Sequence, residues 1–407
     1  MTQASVSSFW LDELRPAYVP RPPLEGDAEA DVAVVGGGLA GTAAAGFLAA
    51  RGARTILLER GEIAGGAAGR LLGLLPAGPP TAYAIAVKDH GRERARILGR
   101  LAAENHALLR RAMEEEGIDC GYARRGRYVM APSDQEFRAL EKSARLLAED
   151  GFRAELLDNT AAARLFPGAG FRGGLFAPDD GEVHPARLAR GLASAAERRG
   201  ARIFERTRAL RLEPAPDRVT IHTERGRVRA AMLLLAAGAE TPLLHPFFEG
   251  ALVGMRAQML ATEPVPERIL PAPVTADFGF EHLRQLPDGR ILASGGRRAA
   301  IDQELTRAER PTEPVQRAIE SFLAACFPSA ARRRVTHRWA AILGWSCDEL
   351  PSVGPVPGSV NVYVAAGFHG HDPAFAAVAA RAAADMILDG RTDLPVDLFS
   401  PRRHLPE

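Results

Sequence analysis

The stretch Asp31-Val-Ala-Val-Val-Gly36-Gly37-Gly38-Leu39-Ala40-Gly41 decides how this chain folds. Its first half, 31–35, is too uniformly apolar for a half-exposed strand and reads as one buried in a parallel sheet. The second half has the G-x-G-x-x-G spacing. Gly36 permits the tight turn off the strand, Gly38 lets backbone approach a pyrophosphate, and Gly41 lets the next helix pack on the strand. Leu39 and Ala40 open that helix, which runs to Arg51 and closes at Gly52. Its N-terminus offers free N–H groups and a positive dipole end to phosphate. A second strand, 54–58, ends in Glu59, where a carboxylate can accept both ribose hydroxyls and repel a 2′-phosphate.

This loop suits NAD and FAD alike. The glycine-rich stretch 61–73, directly after the acidic strand, would let backbone approach a second bulky part of a long cofactor, which favours FAD.

Outward from the motif, 407 residues with 46% apolar content can supply two domains. A balance of 51 basic and 50 acidic residues argues against a nucleic-acid binder held by bulk charge. Cys120, Cys326 and Cys347 lie far apart, so neither a disulfide framework nor a metal-ligand spacing is expected. Residues 1–20 lack an apolar h-region, and glycines break the most apolar window, 31–50. No signal peptide or integral membrane segment is expected, and a cytoplasmic location is the default.

Helical spacing predicts helices over 91–116, 133–149, 185–199, 313–326 and 373–388. Buried-type or alternating runs predict strands at 202–205, 218–223, 232–236, 336–343 and 360–366. Between 251 and 296, alternation with turns such as Pro287-Asp288-Gly289 suggests an antiparallel sheet. The expected fold class is α/β, with a Rossmann-like FAD-binding domain from 28–80, 182–245 and 337–395. An α+β antiparallel-sheet substrate domain, 81–181 and 246–336, interleaves with it.

Further motifs carry a resemblance. Ala67-Ala68-Gly69-Arg70-Leu71-Leu72-Gly73, the segment around Ala209, the turn Ala236-Ala237-Gly238-Ala239, and Trp339 to Asp348 followed by Gly367-Phe368-His369-Gly370-His371 resemble the D-amino-acid-oxidase-like (DAO) family of flavoproteins. That family includes glycine and sarcosine oxidases. The start, Ser8-Phe9-Trp10 and Pro23 to Asp27, is similar to its gamma-glutamylputrescine-oxidase-like members.

The resemblance implies FAD lying over the 67–73 loop, its adenine near Ala209. It also implies contacts from Arg60, Ala237, Gly238, Gly344, Gly367, His369, Gly370, His371 and Asp372. Sarcosine oxidases tether flavin through a Cys where this chain has Ala341, so non-covalent FAD is expected.

Three departures matter. Leu343 stands where family members often carry an Arg for the α-carboxylate, which favours amines or compounds with a remote carboxylate. Leu71-Leu72 replaces Asn-Gly, removing a polar contact to flavin. Asp372-Pro373 follows His371 and reads as N-cap and N1 of the last helix; alternatively, the Asp372 carboxylate sits near the flavin N1 edge.

For the substrate pocket the candidates are Gln258 (with Arg256 on the same strand), His282, Trp345 and His369, the last as a titrating group. No catalytic residue is assigned. The expected function is FAD-dependent oxidation of a CH–NH bond in an amine or amino-acid-like small molecule by hydride transfer, with electrons passing to O2 or a downstream carrier. The alternatives are a flavin-dependent 2-hydroxy-acid dehydrogenase and a non-catalytic FAD-binding subunit.

Overall fold

Strand Ala28–Val35 is the hub of an eight-stranded sheet. The computed structural model describes residues 5–79 and 82–405; Pro80 and Thr81, at the expected domain junction, lie outside them. Val32 to Val35 is paired in parallel with Thr55–Leu58 on one side and with Met232 to Leu235 on the other. Neighbours on both edges and helices on the face explain why this strand has no polar alternation. Arg227–Leu235 is flanked in turn by Val362–Ala366, again parallel, and Arg202–Phe204 closes the other edge beside Thr55–Leu58.

Three helices form the layer over this sheet: Leu39–Ala50, Pro185–Arg198 and Asp372–Asp389. The first and last are rich in fully buried alanines, Ala44, Ala45, Ala379 and Ala380 among them, which lets the helix axes come close. The long helix Arg92–Glu116 packs on Asp372–Asp389 and stops at Gly117, whose φ of 64° is the left-handed C-cap geometry.

A second eight-stranded sheet runs in the order 335–346, 252–262, 291–294, 281–285, 274–276, 127–131, 173–177, 155–157. It is antiparallel except at one place. Arg127–Ala131 pairs in parallel with Val274–Ala276, one parallel pairing within the antiparallel sheet that was expected. The two long strands, Leu252–Thr262 and Val335–Ser346, are in register from Leu252 opposite Ser346 to Ala261 opposite His337. Val335–Ser346 thus belongs to this sheet, and the expected domain boundary at residue 337 cuts through it. Its far end reaches the first sheet's loops, which is what puts the two sheets to work on one site. A helix over Tyr83–His90 was not expected; it is short and packs on Asp134–Glu149. Among the described residues no helix is long and apolar enough to cross a membrane.

Candidate active site

A trough opens where strand Ala28–Val35 turns into its helix. Gly36 has φ 116°, and a Cβ there would stand 2.3 Å from the Ala236 carbonyl oxygen. On Gly41 a Cβ would stand 1.9 Å from the Gly36 carbonyl oxygen. The fold itself therefore demands both glycines. Gly38 is different: a Cβ there meets only the Ala68 Cβ, at 3.8 Å. Nothing in the chain requires glycine at that position, but a ligand passing over it would.

The first intrahelical bond runs from Thr42 N–H to Gly38 C=O (3.0 Å), so the N–H groups of Leu39, Ala40 and Gly41 are unused by the helix. Glu59 accepts the N–H of Gly37 at 2.6 Å and of Gly61 at 2.8 Å, fastening the two glycine loops to one carboxylate. Along the trough lie Gly36, Gly38, Leu39, Ala40, Glu59, Arg60, Ala67 and Ala68. Ala209, Ala237, Gly238 and Gly344 line it too, and Arg60 bonds to Glu240 at 2.8 Å. Open space at Gly38, free helix N–H groups and a carboxylate at the strand end fit the phosphates and ribose of FAD.

The 67–73 loop is held by its carbonyls. Gly69 C=O accepts from Ser8 Oγ (2.9 Å), Arg70 C=O from Trp339 Nε1 (2.7 Å) and Leu71 C=O from Trp10 Nε1 (2.8 Å). Leu72 C=O accepts from Arg284 Nη1 (2.7 Å) and Gly73 C=O from Val183 N–H (2.8 Å). Among the described residues, nothing accepts from the N–H groups of Leu72 and Gly73. Arg284 is buried and also ion-pairs with Glu182 (3.0 Å).

Successive residues of strand Val335–Ser346 face two cavities, as strand pleating requires. Ile342 and Gly344 line the trough, while Leu343 and Trp345 line a chamber of about 430 Å³. Leu71, Leu72 and Gly73 bound this chamber on one side, and His369, Gly370 and His371 on another. Across from them stand His282, Gln258 and Arg297.

The histidines are held neutral. Burial pushes His282 and His369 down to about 3 and His371 to about 4, with Arg127 and Arg297 adding to the fall at His282 and His371. Expectation had His369 titrating near neutrality; its burial among Trp345, Ser346 and the closing loop prevents that. Its backbone is left-handed (φ 57°) and its Nε2 lies 3.0 Å from Ser346 Oγ. The single Ser346 hydroxyl proton is claimed by Asp348 (2.8 Å) or by Leu350 C=O (2.9 Å), so His369 Nε2 donates. That leaves Nδ1 as a buried acceptor without a partner.

Arg297 is the residue the sequence reading missed. Its guanidinium lies 5.0 Å from the Trp345 ring centre and 5.3 Å from that of Phe280, and its Nη1 donates only to Met255 Sδ (3.1 Å). The other arginine lining the chamber, Arg127, is bound to Asp180 (2.7 Å). Among the described residues no carboxylate pairs with Arg297. The glycine pair just before it was the available signal: Gly295 (φ 142°) and Gly296 (φ 69°) turn the chain off strand Ile291–Ser294 and aim Arg297 back towards the cavity.

Several expected contacts fall elsewhere. Arg256 is buried against Glu304 (2.7 Å) and the carbonyls of Gln303, Ala308 and Arg310, so it braces the sheet and cannot reach substrate. Gln258 lines the chamber, but its amide is spent on Glu304 and Thr312. Gly41, Gly69 and Gly367 support the loops without lining either cavity; a Cβ on Gly69 would strike Ala64 C=O at 2.1 Å, and one on Gly367 would strike Leu252 at 2.8 Å. Arg70 lies outside the trough floor, bonding Gly65 C=O and Glu309. The last helix begins one residue earlier than expected: His371 is its N-cap, Asp372 is N1 and Pro373 is N2, because His371 already has the boundary conformation (φ −90°, ψ 19°). The side chain of Asp372 lies outside what the structure describes.

Comparison with known proteins agrees with this geometry. Residues 31–386 match the DAO family, described as FAD dependent oxidoreductase. Gamma-glutamylputrescine oxidoreductase of Escherichia coli K12 is 26% identical over 399 residues, covering 96% of this chain and 90% of the relative. A glycine oxidase of Pseudomonas aeruginosa PAO1 is 29% identical over 365 residues, 88% of this chain and 94% of the relative. Among solved structures, glycine oxidase from Geobacillus kaustophilus superposes with a TM-score of 0.79 at 22% identity, covering 93% of this chain and all of that one. L-proline dehydrogenase from P. horikoshii does so at 0.78 and 21%, over 93% of this chain and 98% of that one. With a trough shaped for a dinucleotide, a chamber beside it and this match across most of its length, the chain belongs to the DAO family of FAD-dependent oxidoreductases.

Proposed function

We propose that this flavoenzyme oxidises the CH–NH bond of a small amine that also carries an anionic group away from the reacting nitrogen. The observation that carries this reading is the chamber itself. It adjoins the cofactor trough, its histidines are neutral, and Arg297 is its one lining arginine without a carboxylate partner among the described residues. A half-buried guanidinium with Glu349, Glu304 and Glu281 nearby but no carboxylate in ion-pair contact among the described residues leaves its planar fork open to a ligand carboxylate. Leu343, fully apolar at the neighbouring wall, leaves Arg297 to do this from the turn that follows strand Ile291–Ser294. The named activities of the relatives, on glycine and gamma-glutamylputrescine, support a C–N bond as the target.

Bound FAD supplies the redox chemistry, accepting a hydride from the carbon next to nitrogen. The chain's residues position and select. Gly36, Gly38, Leu39 and Ala40 hold the pyrophosphate, and Glu59 the ribose, with Arg60 at the rim. The Leu72 and Gly73 N–H groups, which have no acceptor among the described residues, would be free to hold the flavin ring in place of the side-chain contact that Leu71-Leu72 cannot make. Arg297, which closes no ion pair among the described residues, disfavours a second cation beside it, so the amine reacts unprotonated, the form that can release hydride. This assignment takes the expected division of the chain, 28–80, 182–245 and 337–395 against 81–181 and 246–336, as cofactor and substrate portions. Electrons then pass to O2 or a downstream carrier, which oxygen consumption against dye reduction distinguishes. Three free thiols, Cys120, Cys326 and Cys347, support a reducing, cytoplasmic setting.

Anaerobic mixing with panels of amines and of 2-hydroxy acids tests the reading by loss of flavin colour. Bleaching by amines supports it; bleaching by hydroxy acids alone, or by nothing, replaces it with one of the two alternatives. With a substrate in hand, kcat/KM should rise with pH in step with deprotonation of the substrate amine. No inflection from His282, His369 or His371 is expected between pH 5 and 8, since their pKa values of about 3 to 4 leave them neutral throughout. An inflection that stays fixed when substrates of different amine pKa are compared would place a protein base in the mechanism.

Acid precipitation should release the flavin as FAD into the supernatant. Ala341 is buried within strand Val335–Ser346, opposite Ala257, and offers no sulfur; Cys347 lies beyond the strand's end and is exposed. Colour in the pellet would show a covalent link.

A further inference from the structure

Beyond the turn Asp277-Phe278-Gly279 lies a second cavity, about 500 Å³ in volume, and Arg127, Thr275, Phe278 and Gly279 line both it and the substrate chamber. The dividing turn is unusual. Asp277 and Phe278 both hold left-handed backbone, at φ 51° and 53°, a region bulky L-residues avoid. The surroundings keep it there: Phe278 N–H is bonded to Glu136 Oε1 (2.7 Å), and Asp277 to Arg298 (2.7 Å). Strain of this kind persists where a site needs it. Gly279, next in line, has φ 88°, and a Cβ added to it would meet nothing within 4 Å. Gly279 therefore leaves free space beside the backbone at the wall that both cavities share.

What a ligand meets in the second cavity is mostly apolar: Tyr83, Val129, Leu140, Leu147, Phe152 and Leu175. Of its charges, Arg127 pairs with Asp180 (2.7 Å), Arg153 with Asp179 (3.0 Å) and Glu104 with Arg381 outside the cavity (3.4 Å), while Arg100 is exposed. Burial pushes the Glu136 carboxyl up to about 7, so it carries only part of a negative charge near neutral pH. Packed interiors hold few voids larger than a water molecule, and a cavity of this size with aromatic and aliphatic walls matches a binding site.

We infer that the second cavity is a subsite for an apolar tail of the substrate. The substrate class is then an amine with an anionic group near Arg297 and a straight alkyl or aryl chain that runs past Gly279 between Tyr83, Phe152 and Leu175. The inference rests on the reading that the reacting group sits in the first chamber, and it adds what lies at the other end.

The test uses flavin-loaded protein and the change in flavin absorbance on binding, so it needs no turnover. Straight-chain carboxylates from propanoate to octanoate require only Arg297 at one end. The 1-aminoalkanes of the same lengths, under anaerobic conditions, form a second series. Affinity should rise about fourfold per added methylene through the octyl member in at least one series. Two fillings of the cavity from different walls, Ala154→Trp and Ala103→Trp, should each erase the gain for the long members, with melting temperature and FAD content as folding controls. Affinity that stays flat from propyl to octyl in the unaltered protein overturns the subsite. So does a rise that survives both fillings in folded protein. A spectrum unmoved by every member of both series instead defeats the assignment of the first chamber, and this inference with it.

Discussion

Gly38→Val is expected to give a folded, colourless protein. The two halves of that expectation have separate causes. A Cβ at position 38 has only the Ala68 Cβ near it, at 3.8 Å, and the backbone there (φ −81°, ψ −172°) is extended, so valine can be accommodated by the chain. The branched side chain would instead occupy the space over the free N–H groups of Leu39, Ala40 and Gly41, where phosphate belongs. Loss of several charge-assisted hydrogen bonds, at roughly 1.5–3 kcal/mol each, lowers FAD affinity by more than about 100-fold. Gly41→Ala is the contrast, because its Cβ would fall 1.9 Å from the Gly36 carbonyl oxygen and the loop itself must move. Flavin absorbance of the purified proteins, beside circular dichroism and melting temperature, separates the two. Gly38→Val with full FAD content would put the pyrophosphate elsewhere.

Arg297→Met should produce the larger loss in catalysis, confined to one kind of substrate. Methionine keeps the apolar stem against Trp345 and Phe280 but removes the fork. For amines bearing a carboxylate, kcat/KM should fall by about 100-fold or more, corresponding to one or two charged hydrogen bonds at roughly 1.5–3 kcal/mol each. Amines without a carboxylate should change by less than about threefold, and they should gain slightly where desolvating the guanidinium had opposed them. Equal losses for both kinds would mean that Arg297 supports the chamber wall without touching substrate. Arg256→Met is the useful companion: it breaks the buried pair with Glu304 and should lower stability by about 3–5 kcal/mol.

The cofactor half of the molecule was legible because its signals are local. Three glycines, a uniformly apolar strand and a terminal acid sit within 31–59; Gly41 is demanded by Gly36 in the same unit, whereas Gly36 is demanded by the Ala236 carbonyl and Gly38 by no contact within the chain. The substrate half depends on partners far apart in sequence. Nothing at 127–131 announces that it will lie parallel to 274–276, and that pairing forms the wall between the two cavities. Arg256 and Arg297 look alike as residues, yet one closes an ion pair with Glu304 and the other, among the described residues, closes none; only the folded chain distinguishes them. The one-residue shift at the last helix has a simpler origin. Asp-Pro is a strong start signal, but His371 takes the boundary conformation first, leaving Asp372 inside the first turn.

The loop at 67–73 bears on how this enzyme can change. Its address is written in main-chain oxygens, read by Ser8 and Trp10, Arg284 and Trp339 from three distant parts of the chain. Every residue type brings the same carbonyl, so the identities at 71 and 72 are released from the task of placing the loop. That freedom allows Leu-Leu to stand where the family resemblance implies Asn-Gly without displacing the loop backbone. It also makes these two positions a dial for redox tuning: a library randomised at 71 and 72 should keep FAD in most members while spreading their reduction potentials, whereas Trp10→Phe or Trp339→Phe, conservative in bulk, should loosen the loop and bleed cofactor from a protein whose flavin contacts are all still present.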